Sequence, residues 1–260
     1  MTFREDALAG QHIVISGGAG AIGVAVTKAL SDHGARVTVN DILPREEAVL
    51  RLEAAGVLKD RVQYIHADLT NHENVDQLLE QARVNFGPAH TLCCHAGMVQ
   101  AAPIIEFDDG LWDQIMDVNL KAAYLLAKAG ARAMLSDSVR GQIIFTTSWV
   151  GAVPWPDIAA YSASKAAMNM LMRSFSRELA AQGIRANAVA PGIVGAGMAL
   201  RQWETEPDYR ARASKAIPLG YLQPVESVAD AFLFLCSPAA SYMTGSILLV
   251  DGGCSLYPMD

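Results

Sequence analysis

Along the whole chain, short apolar runs rich in β-branched residues alternate with longer stretches whose apolar positions recur at helical spacing. Strands this apolar on both faces need helices above and below them, so the alternation predicts βαβ units and a parallel sheet. Strands are expected at 12–16, 36–40, 62–66, 91–94, 143–147, 185–190 and 247–250. Between the first two, Ile22, Ala25, Val26, Ala29 and Leu30 follow the i, i+3, i+4, i+7, i+8 face of a helix, with Gly34 where a left-handed cap is wanted. Thr70 and Glu73 read as a capping box ahead of Val75, Leu78, Leu79, Ala82 and Phe86. Further helices are expected at about 109–134, 159–182 and 225–235. No linker, repeat or low-complexity tract interrupts the 260 residues, so they read as one doubly wound α/β domain. One long stretch leaves the rhythm. Residues 195–224, with Met198, Leu200, Arg201, Trp203, Tyr209, Arg210 and Arg212, follow a strand where a substrate lid would sit.

Composition restricts the partners. Apolar residues make up 52% and charged ones 18%, enough for a large core and unlike disordered, collagenous or coiled-coil chains. A net charge of −7 without a Lys/Arg cluster leaves no footprint for nucleic acid. Cys93, Cys94, Cys236 and Cys254 form no C-x-x-C pair and read as free thiols of a reducing compartment. The segment 1–11 is polar, carrying Arg4, Glu5 and Asp6 where a secretory leader needs an apolar core. No run reaches the roughly 18 apolar residues of a membrane span; 184–200 is broken by Arg185, Asn187 and Pro191. A cytoplasmic protein without membrane contact is the expectation.

The first expected strand runs into Ser16-Gly17-Gly18-Ala19-Gly20-Ala21-Ile22-Gly23 and directly into a helix. Glycines there let the backbone approach a pyrophosphate whose charge is met by the helix N-terminus. Asp41 ends the second strand, where a carboxylate can accept hydrogen bonds from a ribose 2′-hydroxyl; the alternative is an Asp capping the turn before Pro44. Farther on, Tyr161 and Lys165 stand four apart at the start of an apolar helix, on one face. A Lys ammonium near a phenol favours the phenolate, which would let Tyr161 act as a general acid/base.

Taken together these motifs resemble the short-chain dehydrogenase/reductase family, over essentially the whole chain. Ser16 stands for the family's Thr in its Thr-Gly-x-x-x-Gly-x-Gly fingerprint, and Ala21 for the middle Gly, which fits if position 21 keeps an ordinary helical φ. The resemblance implies a Rossmann-type seven-stranded sheet and a nicotinamide dinucleotide held by Ser16, Gly17, Gly20, Ala21, Ile22, Gly23, Asp41, Ile42, Asp68 and Leu69. His95, Ala96, Gly97, Tyr161, Lys165, Pro191, Gly192 and Val194 complete that implied set. By similarity, Ser148, 13 residues before Tyr161, binds the substrate oxygen and Tyr161 transfers its proton. Lys165 then binds the nicotinamide ribose, and Asn119 holds a water in the proton relay.

Two departures stand out. The family's Asn-Asn-Ala-Gly reads Cys94-His95-Ala96-Gly97, with His95 taken as a structural substitute for an amide rather than a metal ligand, and Ala196 replaces a frequent Thr. The implied chemistry is metal-independent hydride exchange between a nicotinamide and a secondary alcohol or ketone. NAD is expected over NADP, because Asp41 would repel a 2′-phosphate and no cation follows it before Arg45, beyond Pro44. Met98, Val99, Trp149, Trp155 and Trp203 are expected on the substrate wall. Such a wall suits a sugar or polyol face, with a 3-hydroxyacyl or steroid-like cyclic alcohol as alternative. A homotetramer is implied by the resemblance. The rival of another class is a non-catalytic dinucleotide-binding sensor, which has no need of Ser148, Tyr161, Lys165 and Asn119 together.

Overall fold

A computed structural model describes residues 3–57 and 60–256; Met1 and Thr2, the start of the segment read as no leader, lie outside them. Seven strands form one parallel sheet: β1 (His12–Ser16), β2 (Arg36–Asp41), β3 (Val62–His66), β4 (Thr91–Cys94), β5 (Gln142–Thr146), β6 (Arg185–Pro191) and β7 (Ile247–Val250). Their order is β3-β2-β1-β4-β5-β6-β7. The order reverses between β1 and β4, and the crevice beyond the carboxyl ends of those two strands is where an open α/β sheet binds ligands.

The helices are α1 (Gly23–Asp32), α2 (Arg45–Ala54), α3 (His72–Phe86), α4 (Asp109–Met116), α5 (Ala122–Ser136), α6 (Ala159–Leu179), α7 (Gly197–Thr205), α8 (Pro207–Ala216) and α9 (Val225–Cys236). Strand alternation divides the core. Ile13 and Ile15 of β1 face the layer containing Val26, Leu30 and Phe232, whereas Val14 faces the opposite layer with Leu78, Leu126 and Met172. A third cluster, of Trp149, Trp155, Tyr209 and Ile217, lies under α7 and α8. No described helix is long and apolar enough to cross a membrane.

Several expected boundaries move, each for a local reason. The cap of α3 is Asn71, not Thr70: its side chain accepts from the Glu73 N–H at 2.8 Å, while the Thr70 hydroxyl is drawn to Asp68 at 2.8 Å. The expected helix at 109–134 is two helices joined by a π-helical turn, Asp117–Lys121. Strand β5 stops at Thr146, leaving Ser148 to cap the short 3₁₀ turn Trp149–Gly151. Helix α2 has only Ala48 and Leu52 buried, too thin an apolar stripe for periodicity to reveal. Within the stretch at 195–224, for which no element was expected, the chain forms α7 and α8.

Candidate active site

The loop after β1 is shaped by what a side chain would strike. Gly17 has φ +68°, and a Cβ there would lie 2.8 Å from the Ala96 Cα. A Cβ on Gly23 would lie 2.1 Å from the Gly17 carbonyl oxygen, so the first turn of α1 rests directly on the loop. Ala21 is outside the positive-φ region, which is why an alanine fits there. Ser16 ties the loop to the segment after β4, its Oγ accepting from the N–H groups of His95 at 3.0 Å and Ala96 at 3.1 Å.

Asp41 caps the turn before Pro44 and also holds the glycine loop. Its Oδ1 accepts from the Ile42 N–H at 2.8 Å, closing the turn, and its Oδ2 accepts from the Ala19 N–H at 3.2 Å, against the glycine loop. Arg45 does not reach the loop; its guanidinium donates to the Tyr64 carbonyl at 2.8 Å. A cation the sequence reading missed, Arg51, comes closer, donating to the Ala19 carbonyl at 3.4 Å. Its other nitrogen is paired with Glu47 at 2.6 Å, an i, i+4 partner that offsets its charge.

A cavity of about 890 Å³ opens along the carboxyl edge of the sheet. Gly17, Gly20, Ala21, Ile22, Asp41, Ile42, Asp68 and Leu69 line one end. His95, Ala96, Gly97, Pro191, Gly192 and Val194 line its middle, and Ser148, Tyr161 and Lys165 its far end. Three expected residues, Ser16, Gly23 and Asn119, are not on the wall and shape it from behind. Within the π-turn the Asn119 amide clasps Met98, accepting from its N–H at 2.8 Å and donating to its carbonyl at 2.9 Å. It also donates to Ser164 Oγ at 3.1 Å, so both amide hydrogens are engaged.

At the far end, Lys165 is buried and its ammonium donates to the Thr146 carbonyl at 2.7 Å, 5.4 Å from the centre of the Tyr161 ring. Burial pulls the Lys165 ammonium down to about 8. Burial pushes the Tyr161 hydroxyl above its ordinary range, opposed by its hydrogen bond with Ser148. Burial therefore works against the shift expected from Lys165: in the protein alone desolvation raises the Tyr161 hydroxyl rather than lowering it.

The two substituted positions after β4 find partners. Cys94 Sγ points to the Ala123 carbonyl at 3.6 Å, and His95 Nδ1 is hydrogen-bonded to Thr146 Oγ1 at 2.9 Å. His95 is held neutral, lowered to about 4 by burial and then by the Lys165 charge. Among the described residues no group of three His, Cys, Asp or Glu side chains could hold a metal. After β6 the Gly192 N–H is committed to the Val250 carbonyl and to Gln223 Oε1, at 3.0 and 2.8 Å. Gln223 was invisible to sequence reasoning because it acts across 31 residues.

Beside Ser148 and Tyr161 the wall is apolar: Met98, Val99, Trp149, Val150, Trp155, Ile158, Ile193, Met198, Ala199 and Tyr209, with Gln114, Asp117 and Gln202 as polar members. Trp149 and Trp155 meet edge-on at 5.3 Å, and Trp155 meets Tyr209 at 6.5 Å. Trp203, expected on the wall, instead packs against this cluster. The lid arginines are off the wall too. Arg210 donates to the Trp203 carbonyl, and Arg212 lies over Trp155 with its guanidinium 3.7 Å from Asp157. Met198, Ala199 and Gln202, which the sequence reading did not place there, share one face of α7 at i, i+1, i+4 spacing. That spacing was the available clue.

Comparison with known proteins shows the family and the fold to which the chain is similar. A family model described as enoyl-(acyl carrier protein) reductase matches residues 17–255. The chain is 34% identical to 3beta-hydroxysteroid dehydrogenase 1 of Eggerthella lenta over 256 residues, 97% of each chain. It is 35% identical to cis-4-hydroxycyclohexanecarboxylate dehydrogenase of Sinomonas cyclohexanicum, covering 95% of this chain and 98% of that one. Among solved structures, a short-chain type dehydrogenase/reductase from Mycobacterium marinum superposes with a TM-score of 0.86 at 29% identity, covering 97% and 98% of the two chains.

Proposed function

This chain belongs to the short-chain dehydrogenase/reductase family and is an oxidoreductase of CH–OH groups, and from that premise we propose that it exchanges a hydride between NAD and an uncharged cyclic secondary alcohol or its ketone. The observation that carries the reading is one continuous cavity with the glycine loop and Asp41 at one end and Ser148, Tyr161 and Lys165 at the other. The cradle fits a dinucleotide: Gly17 and Gly20 present backbone without side chains on the wall, and the first turn of α1 rests directly behind them at Gly23. When bound, NAD supplies the nicotinamide carbon that accepts or gives the hydride.

The protein's part is to orient and to move a proton. Ser148 hydrogen-bonds the carbinol oxygen, and Tyr161 Oη takes its proton during oxidation or returns it during reduction. Lys165 holds the nicotinamide ribose and keeps a positive charge beside the phenol. Asn119 keeps the Met98 segment in place, so a relay water is held by the main chain of the π-turn rather than by its amide. Asp41 accepts hydrogen bonds from a free ribose and repels a 2′-phosphate, with Arg51 already paired to Glu47. A sensor without catalysis would have no use for Ser148, Tyr161 and Lys165 together on the cavity wall.

The wall supports a cyclic alcohol over a polyol. Each polyol hydroxyl buried without a partner costs about 1–3 kcal/mol, and the wall offers few polar groups beyond those consumed by the reacting carbinol. The names of both curated relatives point to ring alcohols as their own substrates. Helices α7 and α8 act as the lid of a single catalytic domain, and the assembly is a homotetramer. The test is a panel of ring alcohols and polyols assayed with NAD by reduced-cofactor absorbance. Turnover of cyclohexanol- or steroid-type alcohols is expected; turnover of polyols alone would overturn the substrate class, and none with any alcohol or ketone the activity.

A further inference from the structure

We propose that His95 is a positioning residue for the Lys165 ammonium, with Thr146 as the physical link between them; the inference rests on the catalytic reading given above. Lys165 is 2% exposed, and the only hydrogen bond its ammonium makes among the described residues is to the Thr146 carbonyl. The place of that carbonyl therefore decides the place of the charge. Thr146 is the last residue of β5, where the chain leaves the sheet for the turn that carries Ser148. Its hydroxyl is held by His95 Nδ1 at 2.9 Å, so one residue is gripped through its side chain by His95 and through its backbone by Lys165.

The ring that does the gripping is itself fixed. Its plane is set by edge-on packing against Phe232 of α9, centroids 5.8 Å apart, and its backbone by the His95 N–H to Ser16 Oγ. The chain of contacts thus runs from α9 and the glycine loop, through the imidazole and Thr146, to the ammonium beside Tyr161. Nδ1 of a histidine and the amide atoms of an asparagine are both bonded to Cγ. An asparagine at position 95 can therefore offer a hydrogen-bonding atom at the same distance from the backbone, while a leucine of similar bulk offers none.

The test compares His95→Leu, Thr146→Val, the double variant and His95→Asn, all as full-length enzyme with saturating NAD. Thr146→Val removes the hydroxyl and keeps the carbonyl and the shape. His95→Leu and Thr146→Val are each expected to lower kcat about tenfold and to move the midpoint of the pH profile of alcohol oxidation by about half a unit or more, with KM for the alcohol little changed. The double variant should be no worse than the poorer single, since both cut one link, and His95→Asn should restore the midpoint. A Thr146→Val enzyme with wild-type kcat and midpoint, or losses that multiply in the double variant, would overturn the link. Should His95→Leu not fold, Thr146→Val decides alone. Tyr161→Phe is run alongside: if it stays active the catalytic reading fails, whereas an inactive Tyr161→Phe with an unperturbed Thr146→Val rejects only the role of His95.

Discussion

Tyr161 carries the sharpest expectation among the individual side chains. Tyr161→Phe removes the hydroxyl that exchanges a proton with the carbinol and almost no volume. Turnover should fall by about 10²-fold or more, while NAD binding followed by fluorescence titration stays near wild type; a variant with a tenth of the activity would sink the assignment. Oxidation needs the deprotonated phenol, and burial pushes that deprotonation upward, so kcat/KM for alcohol oxidation should rise with pH through the alkaline range. Asp41 supports a second expectation. Because it faces the loop from the end of β2, kcat/KM should favour NAD over NADP by about a hundredfold, a difference of roughly 3 kcal/mol. The double change Asp41→Ala with Ile42→Arg removes the repelling charge and supplies a cation, and should shift that ratio toward NADP. An unchanged ratio would place coenzyme choice elsewhere.

Among the elements, the placement of helix ends shows what neighbours add to local sequence. Thr70, with Glu73 three residues on, satisfies the capping-box pattern and Asn71 does not, yet Asp68 captures the Thr70 hydroxyl and leaves Asn71 to cap α3. Asn71→Ala should therefore cost about 1 kcal/mol of stability, read as a lower midpoint in urea, whereas Thr70→Ala should cost less. Strand positions were legible almost to the residue: β1 and β4, buried on both faces, must be short apolar runs, and the part-buried edge strands β3 and β7 also fall where they were expected. The π-turn around Asn119 was not legible. It holds the clasp between Asn119 and Met98, 21 residues apart, a contact that helical periodicity does not register.

At the scale of the whole molecule, stability should depend on pH through histidines sealed away from water. His12 lies in the sheet with Nδ1 against the Gly87 carbonyl and Nε2 against Thr38 Oγ1, both at 2.8 Å, and burial lowers it to about 4. A group lowered in the folded state stabilises most above its unfolded value near 6.5, and that contribution is lost as pH falls from 6.5 through about 4. The loss for His12 is on the order of 3 kcal/mol. Urea unfolding at pH 7 and 4.5 should show this drop, and His12→Asn should flatten it; equal slopes would reject the cause. Trp112, Tyr124 and Met170, on α4, α5 and α6, are exposed by 39%, 39% and 60%, apolar surface that a homotetramer would cover. Light scattering at micromolar concentration should give four chains, and a monomer would contradict it.

The sequence by itself determined the alternation that makes the sheet, the glycine turn, and the placing of Tyr161 and Lys165 one turn apart on α6, whereas Ser148 entered only through the family resemblance. The first three are encoded by neighbours in the chain or by spacings along one element, where the backbone geometry is known before any packing. Tertiary structure alone decided the charge states and the walls. Whether Tyr161 rests as a phenol depends on how much water the surrounding layers exclude, and whether Trp203 or Met198 meets the substrate depends on how α7 settles over the aromatic cluster. The partners of Gly192, Asn119 and Thr146 likewise come from distant segments, Gln223, Met98 and His95. Desolvation and cross-chain hydrogen bonds are properties of the packed molecule, which is why these features appear only once the chain has folded.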